Sequence, residues 1–154
     1  PYLYLTIIGD GRKASSLKKM SDDLQVNDRV IFWGRIDDAH KLQLLSECHA
    51  LFLLSESCHE AFGIVQLESM AMGIPTLSFD IHKSGVSWVN SSSKIMGYEL
   101  QPNNLIQTIN NLQFNKSFYE KLAIHARTRY QDEFSRSAWL RRADYIFSVI
   151  LNEN

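Results

Sequence analysis

Two glutamates separated by seven residues, Glu60 and Glu68, mark the part of the chain best suited to chemistry. They lie in the segment 55–73 (SESCHEAFGIVQLESMAMG), which begins polar and continues with apolar residues at helical spacing. The repeat at i, i+3 and i+7 that predicts this helix is formed by Ile64, Leu67 and Ala71. Glu68 then lies roughly 40° from Ile64 around the helix axis, on the predicted apolar side. A carboxylate on a buried face needs a partner, so Glu68 is a candidate ligand-binding residue.

The start of this helix is a second candidate feature. Side chains on a helix lean toward its N-terminus, so Glu68 is expected to point back at the loop that carries Glu60. The first turn also offers unpaired backbone N–H groups and the positive end of the helix dipole, which together favour phosphate. Two acids that accept from hydroxyls, beside amides that bind phosphate, indicate a sugar nucleotide. The alternative is that Glu68 is a surface acid with no ligand.

Length and composition exclude several classes of protein. The chain has 154 residues, of which 45% are hydrophobic and 21% charged, as in an ordinary folded domain, and we expect a single domain over 1–154. A net charge of −1 gives no field to attract nucleic acid or anionic lipid. No apolar run is long enough to span a membrane. Two cysteines do not make a disulfide framework, which favours a cytoplasmic location.

Strands and helices are predicted to alternate through the first half of the chain. The strands are expected at Tyr2–Ile8, Val30–Trp33, Ala50–Leu54 and Pro75–Phe79, the first of them buried on both faces. The intervening helices are expected at Ser15–Leu24, at Ala39–Cys48 and after Gly63. This order predicts an α/β, Rossmann-like parallel sheet with helices on both faces. Ligands bind such sheets outside the carboxyl ends of the strands.

The last third of the chain is predicted to be helical. The three helices are expected at Asn103–Leu112, Lys116–Tyr130 and Ser135–Leu151, the last of them capped by Ser135. Their arginines alternate with acids, a mixture typical of a solvated face. This set comprises Arg127, Arg129, Arg136, Arg141 and Arg142.

The motif around the two glutamates resembles the signature of retaining GT-B glycosyltransferases of family 4. The matching residues are Glu60-Ala61-Phe62-Gly63, Glu68 and Ala71-Met72-Gly73-Ile74-Pro75, and the resemblance continues in register over nearly the whole chain. It implies one half of a GT-B fold, the C-terminal donor-binding domain. We expect the chain, which begins at Pro1 without Met, to be a fragment that lacks the preceding βα unit and the N-terminal acceptor domain.

The resemblance also implies a role for each matching residue. Contacts to the donor sugar are expected from Glu60, Ala61, Phe62 and Gly63. Contacts to the diphosphate are expected from the backbone of Gly63, Ile64 and Val65, and contacts to the ribose from Glu68. Contacts to the base are expected from Gly9, Gly34, Arg35 and Ile36, although Arg35 is equally well read as a surface residue. No metal or other cofactor is expected.

The implied reaction transfers a hexose from a UDP- or GDP-sugar to a glycan or lipid-linked acceptor with retention of configuration. Bacterial surface polysaccharide synthesis is the expected setting, in the cytoplasm or at the inner face of the membrane. Expected partners are the nucleotide sugar and the chain's own N-terminal domain, without nucleic acid; peripheral membrane association of the full enzyme stays open. The fragment alone is expected to be inactive.

Other interpretations remain open. A non-catalytic Rossmann-like interaction module would keep the fold without the ligand. Gly9-Asp10-Gly11 begins a dinucleotide-binding pattern but lacks its third glycine, which disfavours a nicotinamide-dependent oxidoreductase. Cys48-His49 and Cys58-His59 are adjacent pairs, a spacing unlike that of zinc ligands. In the predicted loop Asp80–Asn90, Trp88 stands where the family commonly has an acid, either packing the loop or stacking on a sugar.

Overall fold

The structure is a computed structural model that describes residues 3–55, 62–79, 84–90 and 105–152. The strands are β1 (Leu5–Ile8), β2 (Val30–Gly34), β3 (Leu51–Leu53) and β4 (Thr76–Ser78). The helices are α1 (Ala14–Asp23), α2 (Asp38–Glu47), α3 (Ile64–Ala71), α4 (Gly85–Asn90), α5 (Leu105–Phe114), α6 (Lys116–Arg129) and α7 (Arg136–Asn152). A π-helical segment, Tyr130–Phe134, lies between α6 and α7. The predicted α/β class with a helical C-terminal segment is confirmed.

Backbone contacts divide the chain into two compact units, Pro1–Leu44 and Leu45–Asn154. The expectation of a single domain over 1–154 therefore stays a prediction. In each unit two strands pair in parallel, β1 with β2 and β3 with β4. Parallel neighbours need a crossover connection, and a helix follows the first strand of each pair along the chain. The alternation read from the sequence is therefore present in each unit.

In the first unit, the prediction that β1 is buried on both faces is wrong. The strand begins at Leu5, three residues later than expected, and Leu5 is 51% exposed. Ile8 is also exposed, whereas Thr6 and Ile7 are half-buried. An apolar run reports strand propensity, but burial also requires a covering layer over each face. The described residues do not provide that layer over Leu5 and Ile8.

In the second unit, β4 and three helices form the core. All three residues of β4 are buried, and Leu77 has no exposed surface. The cluster of buried apolar side chains comprises Met70 from α3, Val89 from α4 and Ala126 from α6. Partly buried side chains packed against it are Phe62, Leu67, Tyr130 and Phe134. The core therefore lies where α3, α4 and α6 meet.

The predicted C-terminal helices are present, with one local difference. The Asn115 side chain accepts from the Phe118 N–H at the start of α6, and Ser135 Oγ accepts from the Ala138 N–H at 3.1 Å, as expected of caps. Between these helices the chain forms a π-helical turn, in which the Ser135 N–H donates to the Tyr130 carbonyl at 2.8 Å. Such turns are rare and are not visible in hydrophobic spacing.

The prediction that 80–90 is a loop is wrong for its second half. Residues 85–90 form helix α4, and residues 80–83 lie outside the described residues. Ser84 precedes this helix, and its hydroxyl accepts from the Val86 N–H at 3.2 Å. An N-cap serine was therefore the available signal for the helix.

Candidate functional site

The turn into α3 is built on a glycine in the left-handed conformation. Gly63 has φ of 68° and ψ of 63°, and α3 begins at the next residue. A Cβ atom at Gly63 would lie 2.6 Å from Leu53 Cδ2 and 3.0 Å from Gln66 Nε2. Both the backbone angles and the tight packing therefore require glycine at this position.

The residues expected to bind diphosphate share this turn. Gly63, Ile64 and Val65 are consecutive at the N-terminal end of α3, and the Gly63 carbonyl accepts from the Gln66 N–H at 2.8 Å. The Ile64 side chain is 68% exposed. Gly63 is buried and Val65 half-buried, so the exposed part of this turn is at Ile64. The positive end of the helix dipole lies at the same end of α3.

The predicted apolar face of α3 is wrong for two of its three residues, since only Leu67 packs against the core. Ile64 and Ala71 are exposed, and the fully buried positions of the helix are Gln66, Ser69 and Met70. The two polar side chains are tolerated inside because each donates to a backbone carbonyl. Spacing of apolar residues alone did not reveal this, because buried polar residues occupy part of the inner face.

Glu68 is partly shielded even though the helical phase was wrong. Its side chain is half-buried, and its Oε2 atom has essentially no contact with solvent. A carboxylate in this setting is favoured where donors surround it. Glu68 therefore keeps its predicted candidate role as an acceptor, about one turn from the start of α3.

Gln66 is a site residue that the sequence reasoning missed. Its side chain has no exposed surface, and its Nε2 donates to the carbonyls of Phe62 and Val86, at 3.3 Å each. It therefore joins the residue before Gly63 to α4. The residue types gave no clear signal for it, because α3 also carries Glu68 and Ser69.

Helix α4 is held by hydrogen bonds from several directions. Ser87 Oγ donates to the Phe79 carbonyl at 3.2 Å. With its amide oriented to satisfy both groups, Asn90 donates to the Thr76 carbonyl at 3.1 Å and accepts from Ser78 Oγ at 2.9 Å. These contacts fix α4 to the end of β4.

Arg127 and Arg129, predicted to lie on a solvated face, bind the C-terminal ends of two helices. Arg129 Nε donates to the Val89 carbonyl and its Nη2 to the Trp88 carbonyl, both at 2.6 Å. Arg127 donates to the Met72 carbonyl at 3.0 Å. Guanidinium groups at these positions satisfy terminal carbonyls and complement the negative end of the helix dipole. Burial lowers the pKa of Arg129, and Glu133 opposes that effect.

Three aromatic side chains pack together beside the motif. The ring centroids of Phe62 and Trp88 are 5.9 Å apart, and those of Trp88 and Phe134 are 5.4 Å apart in an edge-to-face arrangement. The Arg129 guanidinium lies 5.3 Å from the Phe134 ring centroid. Trp88 is still 55% exposed. These contacts favour the packing interpretation of Trp88, because its ring is held by Phe62 and Phe134.

Two of the residues expected to contact the base meet in the first unit. The Gly9 N–H donates to the Gly34 carbonyl at 2.8 Å, and both glycines have positive φ, 119° and 65°. They lie at the carboxyl ends of β1 and β2. Arg35 is exposed and Ile36 half-buried. The roles of these four residues in base recognition stay predictions.

Several predicted residues lie outside the described residues. Glu60 and Ala61 are among them, as are Cys58, His59 and residues 80–83. In the part of the chain that the structure describes, no group of three or more His, Cys, Asp or Glu side chains is arranged to hold a metal ion. No helix within the same ranges is long and apolar enough to cross a membrane.

Comparison with known proteins identifies the family. A profile of the family described as "Glycosyl transferases group 1" matches residues 1–129. The chain is 38% identical over 88 residues to the lipopolysaccharide core biosynthesis glycosyltransferase LpsE of Rhizobium meliloti, covering 57% of this chain and 24% of the relative. It is 29% identical over 133 residues to the D-rhamnosyltransferase WbpZ of Pseudomonas aeruginosa, covering 85% of this chain and 34% of the relative. The chain thus spans well under half the length of these relatives.

Solved structures show the same fold. HepE of Anabaena, in complex with UDP-glucose, superposes with a TM-score of 0.75 at 20% identity, covering 96% of this chain and 42% of that one. WaaG, a glycosyltransferase involved in lipopolysaccharide biosynthesis, superposes with a TM-score of 0.66 at 20% identity, covering 93% of this chain and 38% of that one. The fold is that of one half of a GT-B glycosyltransferase. Because the family profile matches residues 1–129, which is most of this chain, the chain belongs to the group 1 glycosyl transferases.

Proposed function

We propose that this chain is the donor-binding part of an enzyme that transfers a hexose from a nucleoside-diphosphate sugar to a glycan or lipid-linked acceptor, with retention of configuration. The observation that carries the proposal is the turn at Gly63, whose left-handed backbone leads directly into α3. Glu68, which is half-buried on the same helix, is the proposed acceptor. Amide donors at the start of α3 and an acceptor further along the same helix would suit a nucleotide sugar.

The proposed chemistry is stabilisation of a departing diphosphate. Breaking the bond between sugar and phosphate leaves negative charge on the phosphate oxygens, and amides fixed at a helix start stabilise that charge without reorganising. The backbone of Gly63, Ile64 and Val65 would supply these donors. Glu68 would accept from the two ribose hydroxyls, and Glu60 would hold hydroxyls of the sugar. Neither glutamate is proposed as a general base, and no metal is proposed.

The choice of donor and acceptor rests on the relatives. Because HepE was solved with UDP-glucose, a UDP-sugar is the first donor to test, with a GDP-sugar second. Because LpsE is named for lipopolysaccharide core synthesis, a bacterial surface glycan or its lipid-linked precursor is the proposed acceptor. We propose that the complete enzyme includes an N-terminal acceptor domain and acts in the cytoplasm, at the inner face of the membrane.

The test is a titration of the 154-residue chain with UDP and with GDP. Binding is measured by calorimetry and by shifts of the backbone amide resonances in NMR spectra. Wild type should bind one nucleotide weakly, and Glu68→Gln should weaken that binding by roughly tenfold or more, because a carboxylate acceptor for two hydroxyls is lost. Glu120→Gln is the matched control, since Glu120 is exposed on α6 and its carboxylate lies 3.7 Å from the Nζ atom of the exposed Lys116.

Equal affinity in Glu68→Gln and wild type would contradict the proposed role of Glu68. If neither nucleotide binds, the titration is repeated with a chain extended by the expected preceding βα unit. Absence of binding there as well would favour a non-catalytic interaction module. Transfer activity is expected only when the acceptor domain is present, so turnover by these 154 residues alone would also contradict the proposal.

A further inference from the structure

The Gln66 side chain lies at the junction of two segments that flank the proposed donor site. It extends from α3 and donates to the Phe62 carbonyl, directly before Gly63, and to the Val86 carbonyl in α4. It has no exposed surface. Both hydrogens of its amide are therefore committed to backbone carbonyls on different elements.

The bond to Phe62 fixes the orientation of a peptide group. The described residues contain no cis peptide bond. In a trans peptide the C=O and N–H groups point in opposite directions. Because the Phe62 carbonyl points inward to Gln66 Nε2, the Gly63 N–H of the same peptide points away from Gln66. The buried glutamine therefore sets the direction of the first amide in the proposed diphosphate-binding turn.

The second partner of Gln66 is itself well fixed. Helix α4 is bound to β4 through Asn90 and to α6 through Arg129. A hydrogen bond to the Val86 carbonyl thus ties the peptide before Gly63 to a rigid support. Without this bond, the peptide plane at Phe62 has more freedom to rotate.

The glutamine makes two hydrogen bonds to backbone carbonyls and leaves one acceptor unsatisfied. Its Oε1 atom is buried and has no hydrogen-bond partner within the described residues. A buried acceptor without a partner is destabilising; an apolar side chain would remove that cost but would leave the Phe62 and Val86 carbonyls without this donor. The amide is better explained by what its two donors hold in place.

We propose that Gln66 is a positioning residue for the donor site, which orients the Phe62–Gly63 peptide and keeps α4 in register with the start of α3. This inference rests on the proposed nucleotide-binding function. Gln66 touches no reacting atom in this scheme. Its effect passes through the amide direction at Gly63.

Gln66→Met tests the proposal, because it keeps the length of the side chain and removes both donors. Ser69→Ala is the matched control: Ser69 is also fully buried on α3, and its Oγ donates to the Ile74 carbonyl at 3.2 Å, away from Phe62. In each variant, a buried side chain no longer donates hydrogen bonds to backbone carbonyls. Only the first change should affect the peptide before Gly63.

The measurements are thermal unfolding, the NMR resonance of the Phe62 carbonyl carbon, the Gly63 backbone coupling constants, and the UDP titration, all on the 154-residue chain. Gln66→Met should shift the Phe62 carbonyl resonance, change the Gly63 couplings and weaken UDP binding roughly tenfold, as loss of one positioned donor implies. Ser69→Ala should lower the unfolding temperature while preserving the Phe62 signal and the affinity for UDP.

Three outcomes overturn the proposal: an unchanged Phe62 resonance in Gln66→Met, wild-type affinity in that variant, or an equal loss of affinity in Ser69→Ala. If Gln66→Met does not fold, the test is made on the wild type. The side-chain amide resonances of Gln66 should shift when UDP is added, and unchanged resonances would contradict the proposal. If wild type binds neither nucleotide, the proposed function fails, and the Phe62 and Gly63 signals still show whether Gln66 sets the peptide.

Discussion

Gly63 packs so closely on Leu53 that an added Cβ atom would lie 2.6 Å from Leu53 Cδ2. The glycine ends the segment after β3 and begins the turn into α3, while Leu53 is the last residue of β3. The strand therefore fixes how close the start of the helix lies. This relationship makes the geometry of the turn sensitive to a single methyl group.

We predict that Gly63→Ala lowers the free energy of unfolding by roughly 2–5 kcal/mol, since left-handed backbone strain and overpacking both contribute. Adding Leu53→Ala to this variant should relieve the clash between the new Cβ atom and Leu53 Cδ2, but not the backbone strain at position 63. The loss in the double variant should therefore be smaller than the sum of the two single losses. Urea denaturation measures all three variants, and strictly additive losses would contradict the proposed contact.

Arg129→Lys should destabilise the chain by about 2 kcal/mol, because a lysine ammonium cannot reproduce the paired donation to the Trp88 and Val89 carbonyls. Arg136→Lys is the control, since Arg136 is exposed at the start of α7. Urea denaturation of both variants provides the comparison. Equal effects would mean that positive charge, and not the shape of the guanidinium, stabilises α4.

Phe134→Ala should cost about 2–3 kcal/mol, because it removes the ring that packs against Phe62, Trp88 and Arg129. Phe114→Ala is the matched control: Phe114 is 76% exposed, and its removal should change stability by no more than about 0.5 kcal/mol. Thermal and urea unfolding measure both. A small effect at Phe134 would mean that the aromatic cluster contributes little to stability.

Stability should fall as the pH drops below 6.5, in part because of His125. Burial lowers the pKa of His125 from its ordinary value of 6.5, and the nearby Arg129 lowers it further. The unfolded chain therefore binds a proton more readily than the folded chain, so this stabilisation is present above pH 6.5 and is lost as the pH falls toward the lowered folded value.

The measurement for His125 is urea denaturation at a series of pH values between neutrality and the acid range. His125→Gln should make the dependence of unfolding free energy on pH shallower than in wild type, because the titrating group is removed. An unchanged slope would show that other groups account for the acid sensitivity of this chain.

The regular elements were largely accessible from the sequence. Residues 105–114, 116–129 and 136–152 form helices close to where apolar spacing and caps predicted them. The exposure of Leu5 and Ile8 was not accessible, because burial depends on what covers a strand. The π-helical turn at Tyr130–Phe134 was missed because it depends on a shifted hydrogen bond, for which the residue types give no signal.

The motif residues of the candidate site were predictable from the sequence, whereas the side chains that hold α3 and α4 in place were not. Gly63 and Glu68 were identified by type and spacing, and the structure places both on α3 or at its start. Gln66 was missed because the orientation of α3 was predicted from its apolar residues alone. Arg129 and Phe134 were missed because they lie far from the motif along the chain, and only the fold brings them to α4.

Helices α3 and α4 receive side-chain support from residues that are synthesised much later. Arg127 reaches the Met72 carbonyl across 55 positions of sequence, and Arg129 reaches the Val89 carbonyl across 40. A nascent chain that has emerged from the ribosome only as far as α4 lacks both contacts. Helices α3 and α4 therefore gain these two contacts only after the end of α6 has been translated.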